Sequence, residues 1–307
     1  MTPIIVDCDP GHDDALAIML AIADPGIDLL AVTTVAGNVP LDMTTTNALR
    51  VLDMVGRPDI PVGRGADRPR VRELSTAASM HGESGLAGPL PIAPSRGPDD
   101  RSALDLIEDV LSHQRATLVV TGPQTNAAAL IEQRPHVLER IDRIVFMGGA
   151  VDLGNWTPAA EFNIWVDPHA ADIVMRSGLD LTMIGLEVTH QAWLTDEHAD
   201  ALRDRGDCGL FVAELLDHFV GFHQRRFGWP GAPIHDAVAV AHLIDPTLVQ
   251  TVDANVEIEL DSDLCLGRTV VDRWQVTDRA VNCHVGLSID RDRFVTLLME
   301  RLFTLAS

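Results

Sequence analysis

Residues 7–14 read DCDPGHDD, four aspartates in eight positions, set between an apolar run and a helical one. The upstream run, PIIVDC at residues 3–8, predicts a buried parallel strand. The downstream run, ALAIMLAIA at residues 15–23, predicts an apolar helix that Asp24-Pro25 ends. A buried strand that turns through Pro10-Gly11 straight into a buried helix is the opening of an open α/β sheet. That junction is where such sheets bind ligands, and the N–H groups at a helix start favour anions. Capping the helix explains one or two acids, but not Asp7, Asp9, Asp13 and Asp14 together. Like charges so close in a partly desolvated cleft call for a hard, oxygen-preferring cation.

The rest of the chain fits the same plan. Apolar strand-like runs recur at 29–35, 117–120, 144–147 and 181–184, separated by helical patterns at 41–55, 103–113, 126–132 and 169–176. This alternation predicts a mainly parallel, Rossmann-like sheet flanked by helices, in a single large domain over residues 1–307. Two later β-rich stretches, 254–260 and 269–275, predict a small antiparallel edge or hairpin before a closing helix at 290–305. Segments 65–100, 148–165 and 223–234 carry Gly, Pro and Ser with weak periodicity and read as long loops, the usual carriers of substrate contacts.

Composition narrows the partners. With 45 acidic against 23 basic residues and a formal charge of −22, the chain is a poor match for nucleic acid or an anionic membrane. Its longest apolar stretch, Ala15–Ala23, is too short to span a bilayer, and no basic leader opens the sequence, so a cytoplasmic location is the expectation. Cys8, Cys208, Cys265 and Cys283 lack metal-type spacing and read as reduced thiols; Cys8, between two acids, reads as a packing residue.

Further polar groups fall at predicted strand ends. Thr33, Thr34, Gly37 and Asn38 close the second strand, and TGPQTN (121–126) follows the 117–120 strand. A backbone carbonyl from Gln124 or Thr125 would suit a calcium shell, which takes six to eight oxygens. The stretch MGGAVDLGNWTPAAEFNIWVDP (147–168) brings Asn155, Glu161 and Asn163 into one loop, and amides beside a carboxylate suit a sugar diol that both donates and accepts. Trp156, Phe162 and Trp165 stand nearby to cover a ribose or base, or to anchor the loop. His235-Asp236 lies at another loop-to-helix junction, and His81 sits in MHGESGL.

Taken together, DCDPGHDD, the TTVAGN that ends at Asn38, MHGESGLAG, TGPQTN, MGGA…GN…EFN…DP and HDAVAVA resemble the inosine-uridine-preferring nucleoside hydrolase family, in that family's order and through essentially the whole chain. The resemblance implies hydrolysis of the N-glycosidic bond of a ribonucleoside to free base and ribose, with one bound Ca2+, in a homodimer or homotetramer. It implies Asp9, Asp14, Asp236 and the Thr125 carbonyl as calcium ligands, with Asp9 also the base that deprotonates a calcium-held water. Asp13, Asn38, Asn155, Glu161 and Asn163 correspond to ribose contacts, Met147 and Phe162 to the same pocket, and His235 to the acid for the leaving base, with His81 nearby. His223 and Phe227, on the segment before His235, are the candidates for the base wall. This chain has no Tyr to serve there, and the reading leans to pyrimidines.

The chemistry is coherent apart from the resemblance. Breaking a ribosyl C–N bond builds oxocarbenium character on the sugar, which surrounding carboxylates stabilise. Two rivals fit less well. A metal-dependent phosphatase with an Asp nucleophile would present a basic residue to the phosphoryl group, yet the chain has no Lys and segments 7–14, 121–126 and 155–163 hold no Arg. A calcium-stabilised nucleoside-binding protein without turnover would not need the complete set of carboxylates.

Overall fold

In the computed structural model, which describes residues 1–90 and 92–306, the predicted alternation builds one eight-stranded sheet. Its first six strands are β1 (Thr2–Cys8), β2 (Ile27–Thr34), β3 (Val62–Arg64), β4 (Ala116–Val120), β5 (Ile141–Met147) and β6 (Leu181–Ile184), and two strands from later in the chain complete it. The short pairs β7 (Trp193–Leu194) with β8 (Ala232–Pro233), and β10 (Val256–Ile258) with β11 (Thr269–Val271), are antiparallel and stand apart. β9 (Val249–Ala254) and β12 (Cys283–Ile289) join the main sheet, in the order β3-β2-β1-β4-β5-β6-β12-β9. Only the last pair, β12 with β9, is antiparallel; every other neighbour in the sheet is parallel.

The helices are α1 (His12–Ala23), α2 (Leu41–Met54), α3 (Ala78–His81), α4 (Ala103–His113), α5 (Thr125–Gln133), α6 (Phe162–Val166), α7 (Pro168–Met175), α8 (Leu186–Thr189), α9 (Asp196–Arg203), α10 (Gly206–Phe227), α11 (His235–Ile244) and α12 (Arg291–Leu305). Strand alternation decides how they are distributed. On β1, Ile4 and Val6 pack into one core with α1, α2, α10, α11 and α12, while Ile5 faces a second core built with α4, α5 and α7. Because both faces are covered, the central strands read as unbroken apolar runs, and each fully buried Ile or Val contributes about 1.5–3 kcal/mol. Among the described residues no helix is long and apolar enough to cross a membrane.

The expected α/β class and the small antiparallel hairpin are both present, and three local expectations change. The segment 223–234 does not begin as a loop: α10 runs on to Phe227 because His223 and its apolar neighbours are buried against the core. It ends where Gly228 takes the left-handed conformation at φ +69°. The segments 65–100 and 148–165 are largely irregular as expected, apart from the short helix α3 and the start of α6; Pro91 lies outside the described residues. β3, β9 and β12 were not expected. One feature of the strand order locates function: β1 has β2 on one side and β4 on the other, so the chain winds outward in both directions from β1. The crevice beyond the carboxyl end of β1 is the switch point of the sheet.

Candidate active site

DCDPGHDD occupies that crevice. Asp7, at the end of β1, is fully buried, and its Oδ1 accepts from Thr33 Oγ1 at 2.6 Å and from Asn126 Nδ2 at 2.7 Å, tying β1 to β2 and α5. Burial pushes its carboxyl up to about 6. Asp9 follows in a slot that only glycine neighbours permit. A Cβ at Gly37 would overlap Asp9 Oδ2, and one at Gly122 would lie 2.7 Å from Oδ1. Asp9 Oδ2 accepts the Asn38 backbone N–H at 2.6 Å, while Oδ1 is buried with no hydrogen-bond partner.

Asp14 is a helix cap as well as a cluster member. Its Oδ2 accepts from the Gly11 N–H at 2.9 Å and from Asn38 Nδ2 at 3.2 Å, and its Oδ1 accepts from Thr121 Oγ1 at 2.8 Å. Asp236 enters from the first turn of α11, and oxygens of Asp13, Asp14 and Asp236 all lie within 4.8 Å of one another. Burial first, and neighbouring aspartate charge second, raises Asp9 and Asp236 well above the ordinary carboxylate value and Asp13 to about 8; burial also raises Asp14. The groups acting on them are one another and neutral hydrogen-bond donors; no arginine is among them.

A hard cation fits this arrangement. The donors are all oxygens, Asp9 Oδ1 is buried and unpaired, and both amide atoms of Gln124 in the adjoining loop are likewise buried and unpaired. Asp13, Asp14 and Asp236 form the group whose oxygens converge. Asp9 borders it, and Thr125 stands at the start of α5 with its hydroxyl donated to Asp167 Oδ2 at 2.7 Å.

Above the carboxylates lies a cavity whose lining includes Asp13, Asn38, His81, Met147, Asn155, Glu161, Phe162, Asn163, His235 and Asp236, with Thr121, Met80, Ala77 and Trp156 completing it. Glu161 caps α6. Its Oε1 accepts from the Asn163 N–H at 2.9 Å, and its Oε2 from those of Gly149 at 3.0 Å and Ile164 at 3.2 Å. Gly149, at φ +78°, is the turn residue that allows this approach. Burial outweighs these donors and raises Glu161 to about 7. Asn163 Nδ2 donates to Thr121 O at 2.8 Å and Met147 O at 3.2 Å, joining the ends of β4 and β5, and Asn155 Oδ1 accepts the Phe162 N–H at 3.0 Å. Trp156 meets Phe162 edge-on at 4.9 Å, so the aromatics anchor this loop and also wall the cavity.

Two predicted residues stand back from the lining. His223 is buried with Nδ1 2.8 Å from Phe219 O, and Phe227 is 46% exposed; both stack on Trp229, at 5.7 and 4.9 Å. Trp229 also meets His190 edge-on, and His190 meets His235 in turn, so the aromatic wall reaches the cavity through His190. Trp229 and His190 were not singled out from the sequence, nor was His12, whose Nδ1 lies 3.0 Å from His81 Nδ1 and whose Nε2 donates to Ala87 O at 2.8 Å. His12 lies inside DCDPGHDD, but its partner is remote in the chain, and spacing alone does not signal the pairing. A larger apolar groove, lined by Leu86, Leu90, Ile92, Leu210 and Phe211 among others, contains none of the strand-end residues.

The family model described as inosine-uridine preferring nucleoside hydrolase matches residues 4–296. The chain is 50% identical over 304 residues to a pyrimidine-specific ribonucleoside hydrolase RihA of Shewanella sp. (strain ANA-3), covering 98% of this chain and 96% of that one. It is 48% identical over 309 residues to the protein of the same name from Citrobacter koseri, covering 99% of each. Among solved structures, a purine-preferring ribonucleoside hydrolase from Gardnerella vaginalis superposes with a TM-score of 0.94 at 34% identity, covering 99% of both chains.

Proposed function

The chain belongs to the inosine-uridine preferring nucleoside hydrolase family, and from that premise we propose that it is a calcium-dependent hydrolase of pyrimidine ribonucleosides. The observation that carries the reading is the convergence of unneutralised aspartates with a polar, diol-matching loop in one crevice. Preference for pyrimidines is supported by the names of the relatives at about half identity, against a purine-preferring structural neighbour at 34%.

Asp9, Asp14, Asp236 and the Thr125 carbonyl would hold the calcium, which supplies positive charge that orients water and ribose hydroxyls and keeps the carboxylates ionised. Asp9 is fixed through Oδ2 by the Asn38 N–H, which leaves Oδ1 to take a proton from the attacking water. The water oxygen bonds to C1′ as the C–N electron pair leaves with the base. Asp13, Asn38, Asn155, Glu161 and Asn163 bind the ribose hydroxyls, and the carboxylates among them stabilise the cationic sugar. His235 gives a proton to the departing base, with His81 beside it in the cavity.

The deciding experiment is a reducing-sugar assay on uridine, cytidine, inosine and adenosine, with calcium and with chelator. Calcium-dependent ribose release, largest for the pyrimidines, is expected; phosphate release from nucleotides without free ribose would sink the reading. His235→Ala should slow uridine by about 10²–10⁴ while sparing p-nitrophenyl riboside, whose leaving group needs no proton. An equal loss on both substrates would remove His235 from the acid's role.

Glu161 adds a pH signature. Its carboxyl, raised to about 7, accepts from ribose hydroxyls more strongly when ionised, so kcat/KM should fall as pH drops through about 7. Glu161→Gln should lower kcat/KM by about 10- to 100-fold, the worth of a hydrogen bond to a charged acceptor, and flatten that acid limb. A limb unchanged in the variant would assign it elsewhere.

A further inference from the structure

The proposed acid, His235, has a buried hydroxyl beside its ring. Thr189, the last residue of α8, is fully buried, and its Oγ1 lies 2.7 Å from His235 Nδ1. Among the described residues this is the one hydrogen bond the hydroxyl makes. His235 lines the cavity, and among the described residues the contact of Nδ1 with Thr189 is the one hydrogen bond its ring makes, which leaves Nε2 without a partner there.

A hydroxyl carries one proton and two lone pairs, so the pair has two arrangements. If Nδ1–H donated to Thr189, the hydroxyl proton would be buried without an acceptor, which is costly. If Thr189 O–H donates to a bare Nδ1, both atoms are satisfied and the ring proton resides on Nε2. The ring is also steadied by His190, edge-on at 5.6 Å, which Trp229 backs at 5.4 Å. A single fixed hydrogen bond at Nδ1 therefore sets both the direction of the ring and the nitrogen that bears its proton.

We propose that Thr189 is a positioning residue for the reaction: its hydroxyl orients His235 and keeps the ring proton on Nε2, the atom that meets the departing base. This rests on the assignment of His235 as the leaving-group acid. Thr189 touches no reacting atom, and its contribution is confined to substrates whose leaving group requires the proton. Valine matches threonine in shape but lacks the hydroxyl, whereas serine keeps it, so the two substitutions separate packing from hydrogen bonding.

The test measures uridine and p-nitrophenyl riboside with the calcium-loaded wild type, Thr189→Val, Thr189→Ser and His235→Ala. Thr189→Val is expected to lower kcat on uridine about tenfold, the factor one lost hydrogen bond represents, and to change p-nitrophenyl riboside less than about twofold. Thr189→Ser should recover most of the uridine rate. Equal losses on both substrates in Thr189→Val, or no loss on uridine, would overturn the inference. If His235→Ala itself fails to separate the substrates, the acid assignment falls; if it separates them and Thr189→Val does not, only the role of Thr189 falls. Nitrogen-15 histidine spectra of the wild type at neutral pH supply a measurement that needs no variant to fold. A proton on His235 Nε2 supports the proposal, and any other protonation pattern contradicts it.

Discussion

Asp9→Asn is expected to reduce kcat on uridine by about 10⁴, the upper end for loss of a general base, because under the proposed assignment the same change also removes a cation ligand. Asparagine matches aspartate in size and keeps an oxygen for the Asn38 N–H that now binds Oδ2 at 2.6 Å, so the slot between Gly37 and Gly122 stays filled. The substitution deletes one charge from a buried set whose members raise one another's pKa. Without calcium the variant should therefore melt no lower than the wild type, while binding calcium more weakly. Thermal melts and calcium titration beside steady-state rates give three independent readouts. A kcat within tenfold of wild type would exclude Asp9 as the base, and a large loss of stability would mean that the slot had collapsed.

How much of this was legible in the sequence follows from how far apart the interacting residues lie along the chain. The inner strands and their helices were readable because burial on both faces makes each strand a continuous apolar run. β9 and β12 escaped notice: VQTVDA exposes Gln250, Thr251 and Asp253, and CHVGLSI mixes buried and exposed positions, so neither run looks like a core strand until pairing supplies its partner. The site divides in the same way. DCDPGHDD and the 147–168 loop are local patterns whose chemistry can be read from neighbours. Thr189 with His235, His12 with His81 and Trp229 with His190 are joined only by the fold. Glu161 shows a further limit. The sequence predicted a sugar contact, and the structure adds that its oxygens already hold three backbone N–H groups, a capping duty that spacing did not separate from binding.

Removing calcium should stop turnover and lower the melting temperature by an amount that grows with pH. Asp9, Asp13, Asp14 and Asp236 are buried with no arginine acting on them, and without a cation their folded-state pKa values lie above the ordinary value, with Asp13 at about 8. In the unfolded chain these carboxyls return to the usual range near 4. Between about 4 and 8 the cation-free folded state therefore binds more protons than the unfolded state, and its stability declines as pH rises through that window. Calcium held as proposed would reverse the sign: by favouring the ionised forms it would draw the folded pKa values down, and the same carboxylates would then stabilise the fold at neutral pH. At a free calcium of 100 to 1,000 times Kd the linkage contributes about 3–4 kcal/mol, or about 5–10 °C in a chain of this size. Melts with calcium and with chelator should thus differ little near pH 5 and most near pH 8, with ribose release following the calcium-loaded fraction. Coincident melting curves across that range, together with full activity in chelator, would show that these aspartates hold no ion and that their shared charge is relieved by protons alone.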